Sequence, residues 1–174
     1  MSGERKNGER TRLLHPFPPL FGPDSEVLIL GSFPSVKSRE TEFFYGHPQN
    51  RFWKVIAALF DEAVPQNIPE KKELILRSRL ALWDTIASCE IAGSSDASIR
   101  NAQPNDLRVI LEHAPIRMIC CNGRKSHDLY RKYIEPELGR EAVCLPSTSP
   151  ANAAWSLERL IEAWRVIRQE GRTK

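Results

Sequence analysis

The stretch Glu26–Ser32, EVLILGS, is an apolar run that stops at Gly31-Ser32-Phe33-Pro34-Ser35. Its apolarity is continuous rather than alternating, which predicts a strand buried on both faces, as in a parallel sheet. Shorter runs of the same kind recur at Leu80–Asp84 (LALWD), Arg117–Asn122 (RMICCN) and Ala142–Leu145 (AVCL). Helical spacing fills the intervals. Asn50 precedes RFWKVIAALF, in which Phe52, Val55, Ile56, Leu59 and Phe60 share a face, and Asn50 is a natural N-cap. Further helices are predicted over Glu70–Arg79, from a cap at Asp106 to His113, and from Gly123 to Ile134. A last one opens at Asn152 and carries the stripe Leu157, Leu160, Ile161, Trp164, Ile167. Residues 36–49 and 92–106 read as loops. The alternation predicts an α/β fold, a three-layer αβα sandwich around a short, mainly parallel central sheet. In such sheets ligands bind at the carboxyl ends of the strands. Here those ends carry GSFPS, WD, NG and PSTSP.

The 174 residues fit one domain, and a hydrophobic fraction of 41% with 27% charged side chains is that of an ordinary globular protein. Residues 1–12 hold four basic and two acidic side chains and almost nothing apolar. The expected division is a flexible basic tail over 1–14 and a single domain over 15–174. His15-Pro16-Phe17-Pro18-Pro19 must be extended or turned. No apolar run approaches the ~20 residues of a membrane span, and no apolar segment follows the charged N-terminus as a secretory signal requires. An intracellular protein, cytoplasmic or nucleoid-associated, is expected. A net charge of +3 permits nucleic acid as a partner without demanding it. Cys89, Cys120, Cys121 and Cys144 include no C-x-x-C pair, so they read as reduced, buried hydrophobes and no metal site is expected.

Two segments go beyond generic α/β sequence: Gly31–Ser35 (GSFPS) with Phe43–Trp53 (FFYGHPQNRFW) downstream, and Leu145–Asn152 (LPSTSPAN). Together they resemble the uracil-DNA glycosylase superfamily. The string His47–Ile56 (HPQNRFWKVI) is close to that of the mismatch-specific uracil/thymine glycosylases, whereas the GSFPS entry looks most like the hypoxanthine-DNA glycosylase branch. Leu82–Asp84 through Cys89 and Gly93–Asp96 also match those families, and the resemblance covers about residues 26–165. One departure matters. Mismatch-specific enzymes place a water-positioning Asn immediately before the Pro of the first motif; here that position is Phe33. The hypoxanthine branch is similar in lacking it and relies on the Asn of the HPxN string, which is Asn50.

The resemblance implies a monofunctional DNA glycosylase of base-excision repair, expected to be a monomer; some branches of the superfamily carry an iron–sulfur cluster, but the cysteine spacing here departs from theirs, so no cluster, metal or other cofactor is expected. It would flip a deaminated base, hypoxanthine first, out of DNA and hydrolyse its N-glycosidic bond. That chemistry must stabilise a cationic sugar and an anionic leaving base and deliver water. Asn50 would position the water, with His47 in support against the leaving base. Ser32 and Phe33 would hold the base edge, and Tyr45 would stack on it. Ser147, Thr148, Ser149 and Arg51 would contact the DNA backbone. Lys37 and Lys54 are not placed for a Schiff base, so strand cleavage is not expected. His15, His113 and His127 read as structural or surface residues, and Asp84 and Asp96 as loop-fixing carboxylates. Trp53, Trp83, Trp155 and Trp164 read as core. Alternatives are a uracil or G:U/T mismatch glycosylase, and an inactive module that binds damaged DNA. A small-molecule α/β enzyme is disfavoured, because GSFPS is not G-x-G-x-x-G.

Overall fold

The computed structural model describes residues 11–92 and 99–168. In chain order the first half comprises β1 (Thr11–Leu14), β2 (Val27–Gly31), α1 (Val36–Thr41), α2 (Phe52–Leu59), α3 (Ile68–Arg77), β3 (Leu80–Asp84) and β4 (Ile86–Ile91). The second half comprises β5 (Arg100–Pro104), α4 (Arg108–Leu111), β6 (Met118–Asn122), α5 (Arg124–Tyr133), α6 (Glu135–Leu138), β7 (Val143–Leu145) and α7 (Leu157–Trp164), with a 3-10 turn over Arg165–Ile167.

The four apolar runs form one parallel sheet in the order β3-β2-β6-β7. Val27, Leu28, Ile29 and Leu30 are fully buried, as continuous apolarity requires when helices cover both faces. Each such side chain contributes about 1.5–3 kcal/mol through removal from water. The chain leaves β2 toward β3 on one side and leaves β6 toward β7 on the other. Right-handed crossovers then put α1–α3 and α5 on opposite faces. Helices therefore flank the sheet on both sides, as expected. α2 packs against α7, and Trp164 at the end of α7 meets Phe52 edge-on with ring centroids 5.9 Å apart.

A second, antiparallel sheet, β1-β4-β5, was not anticipated from the sequence. It corrects two expectations. Thr11–Leu14 is not tail: it pairs with Ser88–Ile91, and Arg12 donates to Ser88 Oγ at 2.8 Å and to the Asn101 carbonyl. The rest of the expected tail, residues 1–10, lies outside the described residues. The expected loop over 92–106 contains β5, while Asp96 also lies outside the described residues.

Boundaries shift where side chains offer better caps. Ser35 caps α1 inside the expected 36–49 loop by accepting the Ser38 N–H, and Asn67 caps α3 through Glu70. Ser156, not Asn152, caps the last helix. Asn50 stands two residues before the start of α2, one before its N-cap Arg51, and accepts the Phe52 N–H in an Asx turn. Trp53, Trp83 and Trp164 are buried, but Trp155 is only half-buried, with the Arg159 guanidinium 4.0 Å above its ring.

Of the cysteines, Cys89, Cys120 and Cys121 are buried but Cys144 is exposed. Burial is the main cause that pushes the Cys120 and Cys121 thiols up to about 12. A thiol reagent at about pH 8 is therefore expected to modify Cys144 alone in the native protein and the other three only on unfolding. A second expectation concerns Trp164, whose Nε1–H donates to the Pro146 carbonyl at 2.9 Å. Trp164→Phe leaves that carbonyl unpaired and should lower stability by about 1–3 kcal/mol, read as a lower urea midpoint at unchanged slope.

Candidate active site

The reversal of winding between β2 and β6 opens a crevice at their carboxyl ends, the usual ligand position in an open parallel sheet. A cavity of about 340 Å³ lies there. Its walls come from the β2–α1 turn (Gly31, Ser32, Phe33, Pro34, Ser35), from the loop before α2 (Phe44, Tyr45, Asn50), and from the ends of β3 and β6 (Asp84, Asn122). Phe17, Ser38, Ser149 and Ala151 complete it.

Asn50 is held by a relay. Thr148 Oγ1 donates to Asn50 Oδ1 at 2.8 Å, and the Phe52 N–H donates to the same oxygen at 2.9 Å. Because a backbone N–H must donate, the accepting atom is the carboxamide oxygen, which fixes the amide's orientation. Thr148 is in turn fixed by Asn122, whose Nδ2 donates to Thr148 Oγ1 at 3.0 Å and whose Oδ1 accepts the Thr148 N–H at 3.1 Å. Both acceptor positions of the Asn50 oxygen are filled, so its NH₂ is the group left to meet a ligand.

The wall opposite is unusual in charge. Asp84 is 4% exposed, and its Oδ2 lies 2.7 Å from His15 Nε2. His15 Nδ1 lies 2.8 Å from the Phe17 carbonyl. Gly31 passes directly beside Asp84 Oδ1, so close that a side chain on it would overlap that oxygen. Tyr45 takes a left-handed φ of 50°, which an aromatic residue adopts at a cost of about 1–3 kcal/mol. Its ring stacks on Phe52 with centroids 4.1 Å apart. Its hydroxyl is buried; the Asn122 amide approaches it but falls short of hydrogen-bond geometry, leaving it without a partner. Burial first, and then the Asp84 charge, hold the phenol far above its ordinary pKa, so it keeps its proton.

A model of the uracil DNA glycosylase superfamily matches residues 18–168. The chain belongs to the uracil DNA glycosylase superfamily. It is 35% identical over 153 residues to a hypoxanthine DNA glycosylase of Methanosarcina acetivorans, covering 87% of this chain and 95% of that one. A hypoxanthine DNA glycosylase of Methanosarcina barkeri is 31% identical over 138 residues, 78% of this chain and 86% of the relative. In structure the chain is similar to a Methanosarcina acetivorans protein solved by solution NMR as a uracil DNA glycosylase candidate. That likeness has a TM-score of 0.73 and 31% identity, and it covers 88% of this chain and 97% of the other.

Within this superfamily member, the cavity gathers Ser32, Phe33, Tyr45, Asn50 and Ser149 of the residues singled out in the sequence. It does not gather the others. His47 is exposed and outside the lining; its Nδ1 accepts the Gln49 N–H at 3.0 Å and fixes the turn. Thr148 is fully buried, so its hydroxyl serves Asn50 rather than a backbone phosphate. Arg51 is likewise engaged within the protein: its guanidinium donates to the carbonyls of Ser149, Asn152 and Trp155 and clamps the second motif. Ser147 Oγ accepts the Ser149 N–H beside Gly123, whose φ of 100° suits only glycine. His15, Asp84 and Asn122 were missed as site residues. Asp84 and Asn122 had a usable signal, since each ends a parallel strand where ligands bind. His15 had none.

The relay makes a prediction. Thr148→Val keeps the volume but removes a donor from Asn50 and an acceptor from Asn122. It should cost about 1–3 kcal/mol by urea unfolding. Thr148→Ser, which retains the hydroxyl, is expected to recover most of that loss.

Proposed function

We propose that this chain is a monofunctional DNA glycosylase that removes a deaminated base, hypoxanthine first, from DNA and acts as an intracellular monomer. The observation that carries the reading is the Asn50 amide, oriented by Thr148 and the Phe52 N–H at the wall of a cavity built on the switch point of the sheet. The names of the Methanosarcina relatives support the choice of hypoxanthine.

In this reading the flipped nucleotide enters the cavity and the Asn50 NH₂ donates to a water oxygen, aiming it at C1′ of the sugar. The C1′–N bond breaks with its electron pair leaving on the base. Water oxygen bonds to C1′, and its proton passes to the departing base or to solvent. The cationic sugar supplies most of the drive, so a neutral amide suffices where a strong base would be needed for a poorer electrophile. Phe33 then has no duty toward water; it is 6% exposed and packs with Ile86, Cys89, Ala102 and Leu129 while one side lines the cavity. Ser147 and Ser149 lie on the loop that Arg51 clamps, at the rim where a DNA backbone would pass. Two observations support hydrolysis without strand cleavage. Among the described residues no lysine lines the cavity, and Lys37 pairs with Glu40 at 3.6 Å on an exposed helix.

The test is base release from otherwise identical oligonucleotides holding one hypoxanthine, uracil, xanthine or thymine mismatch, with wild type beside Asn50→Ala. Hypoxanthine should be released fastest, and Asn50→Ala should slow release by about 10²–10³-fold, the usual effect of losing one oriented catalytic amide. Uracil released in preference would keep the enzyme and remove the substrate assignment. DNA bound without release of any base would replace the enzyme with a damage-binding module.

A further inference from the structure

The loop after β7 walls two hollows, and the reaction as derived above uses only one of them. The second, of about 540 Å³, opens beside it. Ala151 lines both, so the two adjoin. The lining of the second includes Ser147, Asn152, the exposed thiol of Cys144 and two side chains suited to nucleic acid, Arg124 and Trp155. Arg124, the first residue of α5, is exposed and has no hydrogen-bond or ion-pair partner among the described residues. The donors of Arg51 are spent on three carbonyls, whereas those of Arg124 remain open to an anion. The Trp155 ring is half-buried and held from behind. Arg51 donates to the Trp155 carbonyl, the Trp155 N–H donates to the Asn152 carbonyl at 3.2 Å, and the Arg159 guanidinium lies 4.0 Å from the ring centroid. Arg159 takes no part in the lining, so the ring meets the hollow on the side that Arg159 leaves uncovered.

A strand whose flipped nucleotide fills the first cavity continues along its rim, and Ala151 leads from that rim into the second hollow. Flipping one nucleotide deprives its neighbours of a stacking partner. Many proteins that deform a duplex insert a large apolar side chain between the bases. This loop has none to insert: Ala151, Ala153 and Ala154 are exposed, and Asn152 is tied through Nδ2 to the Ser147 carbonyl at 3.0 Å. Trp155 is the first aromatic surface beyond them. We propose that the second hollow binds the nucleotide next to the flipped one, its base stacked on Trp155 and its phosphate paired with Arg124. Stacking on an aromatic face suits any base, so the site reads no sequence. It requires instead that this flank be unpaired, so the enzyme engages a locally single-stranded segment in preference to intact duplex. The charge is complementary, since Arg124 in the lining and Arg159 behind the ring face a phosphate chain. This deepens the proposed function and rests on it.

The test uses the full chain and single strands that hold one 2′-fluoro hypoxanthine nucleotide, which resists release. The nucleotide on either side is made abasic in turn. On one side, loss of the base should weaken wild-type binding by about 5–100-fold, the range for one base stacked on an aromatic ring. Trp155→Ala should lose as much on the intact strand and nothing more on the abasic one. Trp155→Phe, which keeps a ring, should recover most of that loss, and thermal midpoints for each variant separate these effects from unfolding. Arg124→Ala should weaken all strands alike and lower the slope of log affinity against log salt by roughly 0.7, the value of one single-strand phosphate contact. In a duplex, mispairing the same flank should tighten binding by wild type and leave Trp155→Ala unchanged. A bound strand should also slow alkylation of Cys144, which keeps the inference testable if Trp155→Ala does not fold. Abasic flanks that cost wild type nothing, or that cost wild type and Trp155→Ala equally, overturn the inference. So does a Cys144 that alkylates at one rate with and without a bound strand. Absence of base release by wild type from ordinary hypoxanthine strands overturns the proposed function instead, and binding and alkylation still decide the role of the hollow.

Discussion

The hydrogen bond from Thr148 to Asn50 joins residues 98 positions apart, and the cavity depends on it. The loop before α2 and the loop after β7 meet around it. Around that bond, Arg51 N–H donates to the Thr148 carbonyl at 3.0 Å, and the Arg51 guanidinium spans the following loop. Asn122 closes the circuit from β6. Closing so long a loop costs entropy that one bond cannot offset. The parallel sheet bears that cost first, because β6–β7 pairing already delivers Leu145 and the turn after it to Asn122. The side-chain relay then acts on ends that are already close, and its net gain of about 1 kcal/mol per bond goes into orientation rather than assembly.

This order explains what the sequence disclosed. Continuous apolar runs at Val27–Leu30 and Leu80–Leu82 were legible as buried strands, because local composition alone sets that outcome. The β1-β4-β5 sheet was not legible. β5 reads RNAQP, with no apolar run or alternation and only Ala102 of its residues buried. It is a strand because β4 offers an open edge, which is a fact of tertiary pairing and not of its own residues.

The site divides in the same way. FFYGHPQNRFW marked Asn50 and Tyr45, since the string is contiguous. The roles within it were harder. Arg51 and Thr148 carry chemistry suited to a phosphate, and only burial and partners reveal that their donors are spent inside the protein. His15 sits in a proline-rich stretch that reads as a connector; it reaches Asp84, 69 positions away, because β1 anchors the segment on one side and the Leu20–Leu82 bridge on the other. No spacing rule relates two such residues.

The cavity wall holds polar groups under constraint. Elsewhere most buried polar atoms are paired, as with Ser126 Oγ on the Leu30 carbonyl at 2.9 Å or Ser25 Oγ on that of Leu80, although Trp83 Nε1 has no partner among the described residues. In the cavity wall the Tyr45 hydroxyl is buried without a partner on a strained backbone, and Asp84 Oδ1 lies against a Gly31 that admits no side chain. A folded protein leaves groups in that condition at a stability cost, and the cost persists only where surrounding structure over-determines them. Here the stacking of Tyr45 on Phe52 and the bond of Asp84 to His15 do so. Both groups are therefore oriented before any ligand arrives.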